Sequence, residues 1–335
     1  MNRQSMIGIV RRFQNQKVLV IGDLMFDEFI WGRVNRISPE APVPIVHVTS
    51  ESCFPGGAAN VARNLKEVAD DVSMMGLVGY DAYGERLLEL LRSGGIRVDG
   101  VQQSAAWQTI VKTRIFARNQ QVVRVDRERI HSGATAHTEA AIEILDRIVP
   151  EVDAVILSDY AKGYLNQQIV DRTMNLARGA GVTVTVDPHP SNPLDWKGAT
   201  AVKPNREEAF RVAGRPVSVP VDPVENDAPL LEAGKILLDR WNTQLVIITL
   251  GEQGMLLLRR GQPPYHIPTR AREIFDVSGA GDTAMAFLTL ALSAGADPVS
   301  AAEIANHASG IVVAKVGTAT VSEGELIASI DQDGC

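Results

Sequence analysis

The chain has 335 residues, room for two domains or one large α/β domain, with 45% hydrophobic and 22% charged residues. That balance belongs to a folded globular protein and excludes a disordered, collagen-like or coiled-coil chain. Lys and Arg number 33 against 40 Asp and Glu, a net charge of −7; binding to a phosphate backbone draws on clustered positive charge, so no nucleic-acid partner is expected.

The first 16 residues carry three arginines but neither an unbroken apolar core nor a small-residue cleavage site, and read as a short amphipathic helix. KVLVIG at 17–22 is a β-branched run closed by glycine, as a buried strand requires. Similar runs recur at 72–78, 154–157, 182–186 and 245–250, with helical patterns at 58–68, 84–93, 138–148, 166–177 and 230–241 between them. Continuous apolar strands alternating with helices predict a mostly parallel sheet covered on both faces, with ligands at the carboxyl ends of its strands. Segments 29–50 and 109–127 break the rhythm, alternating Val and Ile with polar residues, and predict a small β-sheet projecting from the body. The Pro-rich stretch 216–229 reads as a surface loop. The most apolar segment, 284–296, is shorter than the ~18 residues of a membrane span. Cys53 and Cys335 are far apart and show no zinc-site spacing. A reducing, cytoplasmic setting without membrane contact is the expectation.

The sharpest chemical signal is DVSGAGDT at 276–283, followed by an apolar helix. Gly279, Ala280 and Gly281 let the backbone approach an anion closely, and their N–H groups open the helix where its dipole favours negative charge. Asp282 then stands in the first turn, where a carboxylate can take a hydroxyl proton while the backbone holds a transferring phosphoryl group. A tight turn with an Asp near the cap gives the same short pattern in any helix. No G-x-x-x-x-G-K-[ST] is present, and no G-x-G-x-x-G follows the first strand, which argues against a P-loop kinase and a dinucleotide fold.

DVSGAGDT resembles the C-terminal signature of the ribokinase/PfkB family of carbohydrate kinases. The likeness extends in order to GGAANVA at 56–62, NREE at 205–208 and TLGEQG at 249–254, over about residues 17–321. It implies an αβα sandwich (ribokinase-like), one kinase domain over 1–335, with a β-sheet lid over the sugar. Asp282 would be the general base, and Gly279, Ala280 and Gly281 the anion hole. Asn205 and Glu208 would place Mg²⁺ through its waters, a donor set that suits this ion. Thr249, Gly251 and Gly254 would line the phosphates and ribose of ATP, and Asn306 the adenine edge. Asp27, Gly56, Gly57 and Asn60 would meet the sugar. A monovalent cation is a further candidate cofactor. Asp23 and Cys53 read as structural.

Within the family, GDLMFD at 22–27, RVNRISPEAPVP at 33–44, SDYAKG at 158–163 and RNQQ at 118–121 are closer to the members that act on D-glycero-β-D-manno-heptose 7-phosphate. That likeness implies phosphorylation of the C1 hydroxyl to the 1,7-bisphosphate, on the route to ADP-heptose and lipopolysaccharide core. Bifunctional members add a nucleotidyltransferase domain, which is not expected here because the sequence stops soon after the kinase motifs. A phosphorylated sugar asks for fixed cations, and Arg33, Arg118 and Lys162 are the candidates; solvated edge-strand arginines would look the same. Asp187 ends its strand on the triphosphate side, and His189 stands where the subgroup suggests Lys. Ribose, fructose 6-phosphate and a non-catalytic sugar- or nucleotide-binding regulator remain alternatives. The uncovered apolar face of the projecting sheet, together with the resemblance, implies a homodimer through the lids.

Overall fold

The computed structural model describes residues 3–118, 120–129, 137–271, 275–315 and 317–332. Asn119 and Cys335 lie outside the described residues. In chain order the strands are β1 (Lys17–Gly22), β2 (Leu24–Ile37), β3 (Pro44–Gly57), β4 (Asp71–Gly79), β5 (Arg97–Ser104), β6 (Ile110–Ala117), β7 (Gln120–Arg127), β8 (Ala154–Ser158), β9 (Thr183–Asp187), β10 (Ala201–Val202), β11 (Leu245–Thr249), β12 (Met255–Arg259) and β13 (Tyr265–Ile267). The α-helices are α1 (Arg3–Val10), α2 (Ala58–Lys66), α3 (Ala82–Ser93), α4 (Thr138–Ile148), α5 (Gln167–Ala180), α6 (Arg206–Ala213), α7 (Ala228–Trp241), α8 (Ala280–Ser293), α9 (Pro298–Val313) and α10 (Glu323–Asp331).

The main sheet runs β13-β12-β11-β10-β9-β8-β1-β4-β5. It is parallel from β5 to β11, with Val18 of β1 opposite Val72 on one side and Ala154 on the other. Successive side chains of a strand point to opposite faces. Val18 and Val20 therefore join the core under α1, α2, α3, α8, α9 and α10, and Leu19 and Ile21 the core under α4 to α7. Each fully buried Val, Leu or Ile stabilises the fold by about 1.5–3 kcal/mol. β12 and β13 are antiparallel additions. β11 returns through a tight turn ended by Gly254 at φ +86°, where a parallel neighbour would need a crossover helix.

The second sheet is β3-β2-β6-β7. It covers the expected 29–50 and 109–127 but is rooted deeper, since β2 starts at Leu24 and β3 continues to Gly57. Its centre is a parallel pairing of β2 with β6, Asp27 opposite Lys112, between two antiparallel hairpins. Near the root, Phe26 packs on the Tyr83 ring and under the Arg86 guanidinium of α3, so this part of the face is covered. Farther out the sheet is open: β7 is exposed along its length, with Val122, Val123 and Val125 each 38–44% exposed.

Candidate active site at the carboxyl ends of the strands

The order of strands reverses at β1, whose neighbours are β8 and β4, and ligands bind outside such a switch point. There β1 ends at Gly22 and Asp23 turns inward, 1% exposed. Its carboxylate accepts the backbone N–H of Tyr160 (3.0 Å), Lys162 (3.0 Å) and Tyr164 (3.1 Å), fixing the loop after β8. Asp187 closes β9, and Lys203 follows β10 with its ammonium 3.0 Å from the Asp187 carboxylate and only 4% of the side chain exposed. Burial pushes Asp187 up, against the pull of Lys203. Asn205 and Thr249, from two of the sequence motifs, form a bridge at the ends of the neighbouring strands.

Asp282 stands at the third position of α8, behind the cap residue Gly279, whose φ of +80° favours glycine. The N–H groups of Gly281 and Asp282 lie in a first turn that no helical carbonyl reaches. The two Asp282 oxygens have separate donors, Asn60 Nδ2 on Oδ2 at 2.7 Å and the Tyr160 hydroxyl on Oδ1 at 2.6 Å. Thr283 donates to Asn64 Oδ1 at 2.9 Å and clamps α8 to α2. Burial pushes the Asp282 carboxyl up to about 6; Asn60 and Tyr160 oppose this, Asp187 adds to it and Lys203 offsets part of it. A Cβ built on Gly281 would stand 3.7 Å from Lys203 Nζ, so the ammonium borders the helix N-terminus. A carboxylate, a helix start and a lysine thus face one point, where a proton can be taken and negative charge held.

On one side of that point lies a pocket of about 260 Å³ lined by Thr249, Gly251, Gly254, Ala280, Gly281 and Asn306, the residues expected around a nucleotide. Gly254 is required there, because a Cβ would fall 2.1 Å from the Ile267 carbonyl oxygen. Asn306 donates its amide to the Pro268 carbonyl at 2.7 Å and so holds the segment after β13 against α9. Asn205 and Glu208 also form the capping box of α6: Asn205 Oδ1 accepts the Glu208 N–H at 2.9 Å, and Glu208 Oε2 the Asn205 N–H at 2.7 Å. Burial, and then the charge of Asp187, pushes the Glu208 carboxyl up.

On the other side lies the lid. Asp27, 6% exposed, pairs with Arg114 at 2.6 Å, and a Cβ on Gly56 would come within 2.2 Å of its Oδ2. Gly57 begins α2 at φ +60°, beneath the Asp23 carbonyl. Lys162 pairs with Glu128 at 2.8 Å, and Lys112 approaches the same carboxylate at 3.5 Å, so Lys162 is not a bare cation. Arg33 and Arg118 are brought together with Trp31 and Phe116 toward the lid tip. Six residues beyond Asp27 at about 3.3 Å each, Arg33 lies about 20 Å from it along β2. Asn60, expected at the sugar, is committed through its amide to Asp282. No sequence pattern marks Tyr160, Lys203 or Arg114 as a site residue. Lys203 stands two residues before the NREE motif and Tyr160 inside SDYAKG, so position beside a motif was the available signal.

The αβα sandwich with its second sheet, and a helix N-terminus facing a carboxylate at the strand ends, define the class of ribokinase-like carbohydrate kinases. A family model described as pfkB family carbohydrate kinase matches residues 15–324, and the chain belongs to that family. It is 40% identical over 333 residues to "Bifunctional protein HldE" of Pelobacter propionicus, covering 98% of this chain and 66% of that protein. It is 41% identical over 312 residues to the protein of the same name from Geobacter sulfurreducens, covering 93% and 62%. The chain thus spans slightly less than two-thirds of the length of these relatives. Among solved structures, phosphofructokinase-2 of Escherichia coli with substrates and products superposes with a TM-score of 0.74 at 18% identity, covering 94% of this chain and 98% of that one. Ribokinase of Arabidopsis thaliana complexed with ribose and ATP gives 0.70 at 18% identity, with the same coverage. These two likenesses are of fold.

Proposed function

We propose that this chain is an ATP- and Mg²⁺-dependent kinase that phosphorylates the C1 hydroxyl of D-glycero-β-D-manno-heptose 7-phosphate, giving the 1,7-bisphosphate for ADP-heptose and lipopolysaccharide core. The observation that carries the kinase reading is the Asp282 carboxylate, held by two donors beside an open helix N-terminus and Lys203. Asp282 takes the proton of the acceptor hydroxyl as that oxygen bonds to the γ-phosphorus. The bond from the γ-phosphorus to the β,γ-bridging oxygen breaks, and ADP leaves. The backbone at Gly279, Ala280 and Gly281, with Lys203, holds the charge on the moving group.

The donors near the triphosphate side fit Mg²⁺. Glu208 and Asp187 are oxygen donors close enough for one charge to push up the other carboxyl, a repulsion a divalent cation would relieve. Bound there, Mg²⁺ would neutralise triphosphate charge, with Glu208 and Asn205 holding it through water. Thr249, Gly251, Gly254 and Asn306 receive the nucleotide, and Asp27, Gly56 and Gly57 receive the sugar. The heptose reading rests on the four subgroup-like stretches and on the 40–41% identity to the two HldE proteins. Lys162 is the leading partner for the 7-phosphate, displacing Glu128, because Arg33 and Arg118 stand too far out on their own lid. Two lids pairing through the open face of β7 would make a homodimer.

The test is product identity. With ATP, Mg²⁺ and the heptose 7-phosphate, phosphorus NMR should show a second phosphate coupled to the anomeric proton. A new phosphate on any other carbon contradicts the reading, and absence of turnover with every sugar tried points to a non-catalytic binder.

A further inference from the structure

The loop 158–164 is largely buried, and its backbone is anchored at several points. One buried carboxylate, Asp23, takes three of its backbone N–H groups, on both sides of Ala161. Asp159 Oδ1 takes a fourth, from Ala161 at 2.8 Å, where φ is +54° and the backbone is held in the left-handed region. None of these anchors involves the Tyr160 phenol. They fix the stem from which it reaches Asp282 Oδ1 at 2.6 Å, in the short range of a hydroxyl bound to a charged oxygen.

We propose that Tyr160 is a positioning residue which, with Asn60, fixes the Asp282 carboxylate so that a free lone pair is turned toward the acceptor hydroxyl. The inference rests on Asp282 being the base. The groups around that carboxylate are Asn60 from α2, Tyr160 from the loop after β8, Asp187 from the end of β9 and Lys203 after β10. Burial and Asp187 favour its protonated form; Asn60, Tyr160 and Lys203 favour the ionised one. Losing the phenol therefore moves the carboxyl to higher pKa as well as freeing it to rotate.

Tyr160→Phe keeps the ring and every backbone anchor of the loop. Its kcat should fall by about tenfold or more, and the acid limb of the pH–rate profile should move up by about one pH unit, the scale of one hydrogen bond to a charged group. ATP affinity should stay unchanged. A second enzyme with 3-fluorotyrosine at position 160 keeps the hydrogen bond with a more acidic donor, and its acid limb should move down. An acid limb that stays in place in either enzyme overturns the proposal, whatever happens to the rate. Asp282→Asn separates the two readings: if it still turns over, the base assignment falls. If it is inactive while the Tyr160→Phe profile is unmoved, only the role of Tyr160 falls.

Discussion

A carboxylate that takes a proton from a sugar hydroxyl must be charged when the substrate arrives and must keep its direction. Asp282, the base proposed above, has a donor on each oxygen and a pKa of about 6, below neutral pH although burial raises it. The rate should therefore fall as pH drops through about 6, because the protonated carboxyl has nowhere to put the hydroxyl proton. Asp282→Asn keeps the size and loses the base; its turnover should drop by ~10²–10⁴-fold, while calorimetric titration finds ATP affinity unchanged. Glu208 has two tasks, capping α6 and facing Asp187. In Glu208→Gln the amide oxygen still accepts the Asn205 N–H, so the cap survives and only the charge is lost. The Mg²⁺ concentration for half-maximal rate should rise about tenfold, the scale of one charged interaction. Sugar KM should hardly move.

At the scale of elements, the lid root is where the proposed function seats the sugar. Asp27 is squeezed between Arg114 and the bare Cα of Gly56. Gly56→Ala would drive a methyl group into Asp27 Oδ2, and displacements of about 1 Å at a binding group can cost ~10²-fold. Sugar KM should rise by at least about tenfold, ATP KM should not change, and steady-state kinetics with each substrate varied in turn reads both. The central strands and most of the helices were legible in the sequence because each is a long apolar run or a clear helical period. The pairing of β2 with β6 was not, because it joins residues such as Asp27 and Arg114 that are 87 apart in the chain. Charge marks Arg33 and Arg118, yet their place toward the lid tip depends on strand register, which composition does not encode. Tyr160 was hidden for the same reason: its contact with Asp282 spans 122 residues and depends on a loop held by Asp23. The motifs themselves were readable, since Gly254 and Gly279 at positive φ admit few residues other than glycine.

At the scale of the molecule, the sheet gathers the motifs and the lid carries the open surface. Among the described residues no helix is long and apolar enough to cross a membrane, and the exposed apolar groups include Val122, Val123 and Val125 on β7. If these lids pair, light scattering should give twice the protomer mass of 36.2 kDa, and Val123→Lys should halve it by charging the shared face. A fully active species at the protomer mass would contradict the pairing. The proposed sugar is tested most directly by comparing kcat/KM, from ADP release, for D-glycero-β-D-manno-heptose 7-phosphate, sedoheptulose 7-phosphate, fructose 6-phosphate and ribose. A site that reads the anomeric hydroxyl and the distant phosphate together should favour the heptose 7-phosphate by about 10²-fold or more, since unpaired polar groups in the site penalise the others. Equal or higher efficiency with ribose or fructose 6-phosphate would contradict the account.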